Sequence, residues 1–162
     1  MKNIKYLLIS IALIQTIGCA PANIKPLAPV EDDVKSTLTV YRVRAFSAGG
    51  AQCVAGIDGY DRLVLKNKQS ATVNLPAGKH EIYVRVATGE QPFSITINLE
   101  SGQSYCYKVF PNPNRLAGML LGNLIFPGLT VGVHHTFLIE KTVCSEADLE
   151  EYTPVTVEYR EP

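Results

Sequence analysis

The chain has no excess of charge of either sign. Its 162 residues carry 15 lysines and arginines against 15 aspartates and glutamates. A nucleic-acid surface or a polybasic membrane patch needs a surplus of cations, so neither is expected and nucleic acid is set aside as a partner. Histidine is scarce as well, with three in all. His134 and His135 are adjacent, and neighbours in a strand point to opposite faces, which places them poorly for one metal. His80 belongs to a Pro-Ala-Gly-Lys-His turn, where a solvated ring is the expectation. Neither a metal nor a cofactor is expected. There is no Gly-x-Ser-x-Gly elbow and no Gly-rich phosphate loop followed by Lys-Ser/Thr. Catalytic residues are therefore not assigned and the chain is not expected to be an enzyme; a hydrolase whose groups meet only in the fold is the remote alternative.

A long unbroken hydrophobic run is also missing. The apolar residues 6–14 fall short of the about 20 that a membrane span needs. Lys2 and Lys5 precede them and Thr16-Ile17-Gly18-Cys19 follows, the charged-apolar-small order of a secretory signal peptide. The Gly18-Cys19 junction resembles the lipobox of bacterial lipoproteins, with Thr16 where leucine is usual. That resemblance implies removal of residues 1–18 and lipid attachment, palmitate included, at Cys19. A competing cut after Ala22 would discard Cys19 and release a soluble periplasmic protein, with a small ligand held between its sheets. Pro21 between the two small residues Ala20 and Ala22 disfavours that cut. Ala20, in place of aspartate, fits sorting to the outer membrane on its periplasmic side. One acyl chain binds membranes only marginally, whereas a multi-chain lipid would attach stably. Removing 18 of 162 residues leaves 144, the length of one domain, with 13 basic against 15 acidic residues.

A second uncharged stretch, 116–133, is broken by Asn123, by Pro127-Gly128 and by further glycines. Gly118 and Gly122, like Gly128 and Gly132, have the spacing of close helix contacts. Three readings stay open: a part of the core, a surface element seated on lipid or on an envelope protein, or a membrane helix. Leu120, Leu121, Leu124, Ile125 and Phe126 are the candidate contact residues.

Residues 19–36, with Pro21, Pro26, Pro29 and the acids Glu31-Asp32-Asp33, suggest a tether. From residue 37 onward the pattern becomes short alternating runs between turn signals. Strands are expected over 39–44, 53–57, 62–65, 71–75, 81–86, 95–99, 105–110 and 136–143. Asp58-Gly59 marks a type I′ hairpin. Ser145 is a helix N-cap with acids in the first turn, which suggests a short helix over 146–151. Residues 153–159 suit a last strand, at an edge because Pro154 cannot donate to a ladder. The expected fold is mainly β: a single antiparallel β-sandwich-like domain over 37–162 with a short C-terminal helix.

Of the cysteines after Cys19, two are expected to pair in an oxidising compartment. If 105–110 and 136–143 are antiparallel neighbours, Cys106 opposite Cys144 puts Phe110 opposite Glu140, so Cys106–Cys144 is the expected bridge. Cys53 is then a small buried apolar residue. Arg42, Arg44, Tyr83 and Arg85 are expected to face away from the core, as a solvated sheet face or as a basic-aromatic patch for an anionic surface.

Thr39-Val40-Tyr41-Arg42, Gly56-Ile57-Asp58-Gly59, Leu75-Pro76-Ala77-Gly78-Lys79-His80 and Leu99-Glu100-Ser101-Gly102-Gln103-Ser104-Tyr105 occur in that order. The set resembles the bacterial domain-of-unknown-function family numbered twenty-eight forty-six, over residues 38–110. The Pro-x-Gly-x-His turn is also similar to surface-associated PEGA repeats. The resemblance implies a small β-sandwich-like lipoprotein domain and carries over no catalytic residue.

Overall fold

The computed structural model describes residues 24–32, 34–45, 50–114, 135–144 and 149–159. Cys19 and the leader, the stretch with Leu120, Leu121, Leu124, Ile125 and Phe126, and the first part of the expected helix lie outside them. Among the described residues no helix is long and apolar enough to cross a membrane.

The described residues form nine strands: β1 (Lys35–Arg42), β2 (Cys53–Ile57), β3 (Tyr60–Leu65), β4 (Gln69–Pro76), β5 (Gly78–Val86), β6 (Phe93–Leu99), β7 (Ser104–Pro111), β8 (Phe137–Thr142) and β9 (Thr153–Pro154). They build two sheets, in the orders β8-β7-β1-β4-β9 and β3-β2-β5-β6. Alternation explains the packing between them. Leu38 and Val40, Val73 and Leu75, Tyr107 and Val109, and Phe137 and Ile139 meet Ala55, Ile57, Leu63, Leu65, Ile82, Val84, Ile97 and Leu99 in one core. The chain is thus a mainly β, sandwich-like domain. It departs from a purely antiparallel plan in two pairs: β1 runs parallel to β7, and β4 parallel to β9. Pro154 does sit at the sheet edge.

Two segments close the side of the sandwich. Leu27, which the sequence assigns to the tether, is 5% exposed and belongs to the core. Its N–H donates to the Glu158 carbonyl at 3.0 Å, and Lys25 N–H donates to that of Asp61 at 2.9 Å. Val155 and Val157 pack on the same core from the C-terminal side. Residues 25–27 are therefore seated on the domain, because Leu27 has an apolar slot to fill.

The disulfide joins Cys106 to Cys144, with the Cα atoms 5.3 Å apart. β7 and β8 are antiparallel as expected, but the register differs by two residues. Cys106 lies opposite Thr142 and Phe110 opposite Leu138, so Cys144 reaches Cys106 from just beyond the end of β8. A slip of two keeps every side chain on its own face, which is why the bridge survives it.

Candidate functional site

The second sheet carries a polar cluster on its outer face, and a β-bulge creates it. Leu63 pairs with Ala55, but the next pair is Asp61 with Gly56, so Arg62 is an extra residue in β3. Without it, Asp61 would share the inward face of Leu63; the bulge turns it outward. There Asp61 lies beside β5. Tyr83 donates its hydroxyl hydrogen to Asp61 Oδ1 at 2.8 Å, Arg85 Nε donates to the same oxygen at 3.3 Å, and Arg85 Nη2 pairs with Oδ2.

Gly56 makes room for the cluster. A Cβ there would come within 1.9 Å of the Tyr83 ring, so the ring can lie across β2 only where no side chain stands. Burial and then the hydrogen bond to Asp61 push the Tyr83 phenol well above its ordinary pKa. The phenol stays a neutral donor. The Asp61 and Arg85 side chains are 12% and 19% exposed, buried enough that removing one would strand the other's charge. Beside them is an open depression of about 510 Å³, lined among others by Tyr83, Arg85, Glu81, Glu90 and Ser94. It offers donors and acceptors to a small polar ligand. The space between the sheets, where a ligand was the alternative expectation, is filled by core side chains.

His80 is a second polar feature. It is 8% exposed, not solvated as the turn suggested. Nδ1 lies 2.8 Å from Asp58 Oδ2 and Nε2 2.9 Å from the Pro76 carbonyl. Asp58 Oδ1 also accepts the Glu81 N–H at 3.0 Å. Asp58 and Gly59 both have positive φ, 51° and 77°, as a type I′ turn requires. The ring thus ties the β2–β3 hairpin to the β4–β5 turn.

Arg42 corrects the expected patch. It shares the inner face of β1 with Leu38 and Val40 and is fully buried. Nη1 donates to the carbonyls of Ala51 (2.6 Å) and Leu65 (3.0 Å), and the guanidinium lies 4.5 Å from the Phe137 ring centre. Desolvation lowers its pKa. Tyr41, on the opposite face of β1, lies against Tyr152 with ring centres 4.9 Å apart. Because β1 and β5 lie in different sheets, Arg42 and Arg85 cannot form one surface. Cys53 is free and buried, and burial raises its thiol pKa to about 12, which leaves it inert.

The chain is clasped where it leaves β7 and where it enters β8. Asn112 N–H donates to the Thr136 carbonyl at 2.8 Å, and its Nδ2 to the His135 carbonyl at 3.1 Å. Chain leaving β7 therefore returns to β8 at the same spot. Asp61 and the partners of His80 were missed from the sequence. A glycine inside the strand pattern, Gly56, was the available sign of a bulge or a close approach. Among the described residues, no three His, Cys, Asp or Glu side chains form a metal-holding group. No protein-family model matches this chain, and neither a curated protein nor a solved structure matches it.

Proposed function

We propose that the chain is an outer-membrane lipoprotein on the periplasmic side, anchored through acylated Cys19, and that it works as a binding or scaffold module in an envelope assembly. The carrying observation is the leader itself: Lys2 and Lys5, an apolar run, then Gly18-Cys19. The Cys106–Cys144 bridge supports an oxidising compartment. The resemblance of its sequence motifs to those of a lipoprotein domain family favours the same address. Leu120, Leu121, Leu124, Ile125 and Phe126 are the proposed contact with an envelope partner. In favour of that contact is the bonding of Asn112 to Thr136 and His135, which brings the two flanks of their segment to one point on the domain.

Membrane fractionation of wild type against Cys19→Ala tests the anchor: loss of membrane attachment in the variant is expected. Retention would retire the lipoprotein reading. In-cell photo-crosslinking from position 121 tests the contact, with a discrete protein adduct expected. A silent position would assign the stretch to the core. The depression beside Arg85 favours a second reading, a small polar ligand bound on the outer face. Arg85→Ala should then abolish ligand-dependent stabilisation in a thermal-shift screen.

A further inference from the structure

The chain enters the fold at one corner. Ile24 and Lys25 are exposed, while Lys25 N–H is bonded to Asp61 and Leu27 is locked into the core. Arg62, the bulge residue, fastens this entry by donating from Nη1 to the carbonyls of Lys25 (3.1 Å) and Pro26. Only residues 20–23 separate the corner from Cys19. Fully extended, that length of chain reaches at most about 18 Å.

The surface at the corner has the chemistry of a membrane interface. Lys25 Nζ lies 4.1 Å from the Tyr60 ring centre and the Arg62 guanidinium 5.1 Å from it. Tyr60 is 45% and Ile24 38% exposed. Amphipathic rings and long cationic stems suit the boundary between headgroups and acyl chains. The two carboxylates of the hairpin are already engaged, Asp58 with His80 and Asp61 with Arg85. Lys25, an exposed residue, is left as the cation of this corner that reaches outward, while Arg62 is held inward by the carbonyls of Lys25 and Pro26.

We propose that Ile24, Lys25 and Tyr60, on the corner that Arg62 fastens, form a docking surface for the anionic headgroups of the bilayer that holds Cys19. This rests on the acylation of Cys19. The surface sets the domain's orientation, with the β2–β3 hairpin end against the bilayer. β7 runs parallel to β1, away from that end, so the clasp at Asn112 lies at the opposite one. The strands separate the two ends by about 25 Å.

The chain contains no tryptophan, so Tyr60→Trp supplies a single reporter that keeps an aromatic ring in place. Lys66→Trp, just past the other end of β3, is the distant control, about 20 Å along the strand. The acylated full chain of each variant is reconstituted with vesicles of phosphatidylcholine and phosphatidylglycerol containing brominated lipid. The expected result is blue-shifted, quenched emission from position 60 and unchanged emission from position 66. Adding Lys25→Gln should weaken the headgroup contact about fivefold. If the protein floats with the vesicles but position 60 is unquenched, or both positions quench alike, the docking surface is wrong and the anchor stands. If the protein does not float, the acylation reading fails and the docking surface falls with it.

Discussion

The two ends of the sandwich are held by different chemistry. At the hairpin end, several polar side chains share the tying of the loops: His80 links Asp58 to Pro76, Arg62 binds the carbonyls of Lys25 and Pro26, and Ser36 Oγ donates to Glu100 O at 2.8 Å. At the opposite end, one buried cation does comparable work from inside. Arg42 holds the carbonyls of Ala51 and Leu65 and lies over Phe137. The first arrangement fixes the place where the chain arrives from its leader. The second seals the core under the place where the chain leaves β7 and enters β8. Ties shared among several side chains can be lost one at a time, whereas a single guanidinium that holds two carbonyls is lost as a unit, so the second end should be the more sensitive to one substitution.

The largest expected effect reaches across both ends. The disulfide closes a loop of 38 residues that contains the uncharged stretch 116–133. Replacing Cys106 and Cys144 together by serine should cost about 4 kcal/mol, read from urea unfolding of the oxidised wild type and the variant. A shift below a quarter of that would show that the unfolded chain is already constrained in this region.

Arg42→Ala should cost about 3 kcal/mol, since it leaves two buried carbonyls without their donor and opens a hole under Phe137. His80→Ala at the other end should cost about half as much. Equal losses in the two variants would erase the distinction between the ends.

Gly56→Ala should cost about 2 kcal/mol, because the new methyl must displace the Tyr83 ring and with it the bond to Asp61. Combining it with Tyr83→Ala should recover part of that loss. If the two costs simply add, the ring is not the obstacle.

The smallest effect is one of pH. Burial raises the phenol pKa of both Tyr83 and Tyr107 in the folded chain. An unfolded tyrosine gives up its proton near pH 10, so above that pH the folded state binds more protons than the unfolded one. Their stabilising contribution is complete below that value and is lost as pH rises through the folded values. Urea midpoints should fall across the alkaline range, and Tyr83→Phe should flatten the fall. A midpoint independent of alkaline pH would count against both shifts.

Much of the strand pattern is legible in the sequence. Residues 53–57 form a strand with the expected bounds, and Asp58-Gly59 turns it with both φ positive. These features depend on residues a few positions apart. The facing of β1 was not legible. Tyr41 and Arg42 are both buried, one against Tyr152 and one inside the core, so alternation supplies a period without saying which phase is inward. The Cys106–Cys144 pairing was readable because it needs only neighbouring strands. Its two-residue offset was not, since the register of β7 and β8 is set by the Asn112 clasp and the inward fit of Phe137.

What the sequence alone determined is the set of strands, the turns between them and the bridging cysteines, because propensity, turn chemistry and alternation act locally. The tertiary structure decided the rest. It seated Leu27 on the core, ran β1 parallel to β7, put Arg42 inside and turned Asp61 out toward Tyr83 and Arg85. Each of those outcomes depends on a partner far away in the chain. The bulge at Arg62 shows the reason most plainly: one added residue in β3 reverses the faces of those beyond it, and only the fit against β2 and β5 fixes where it falls.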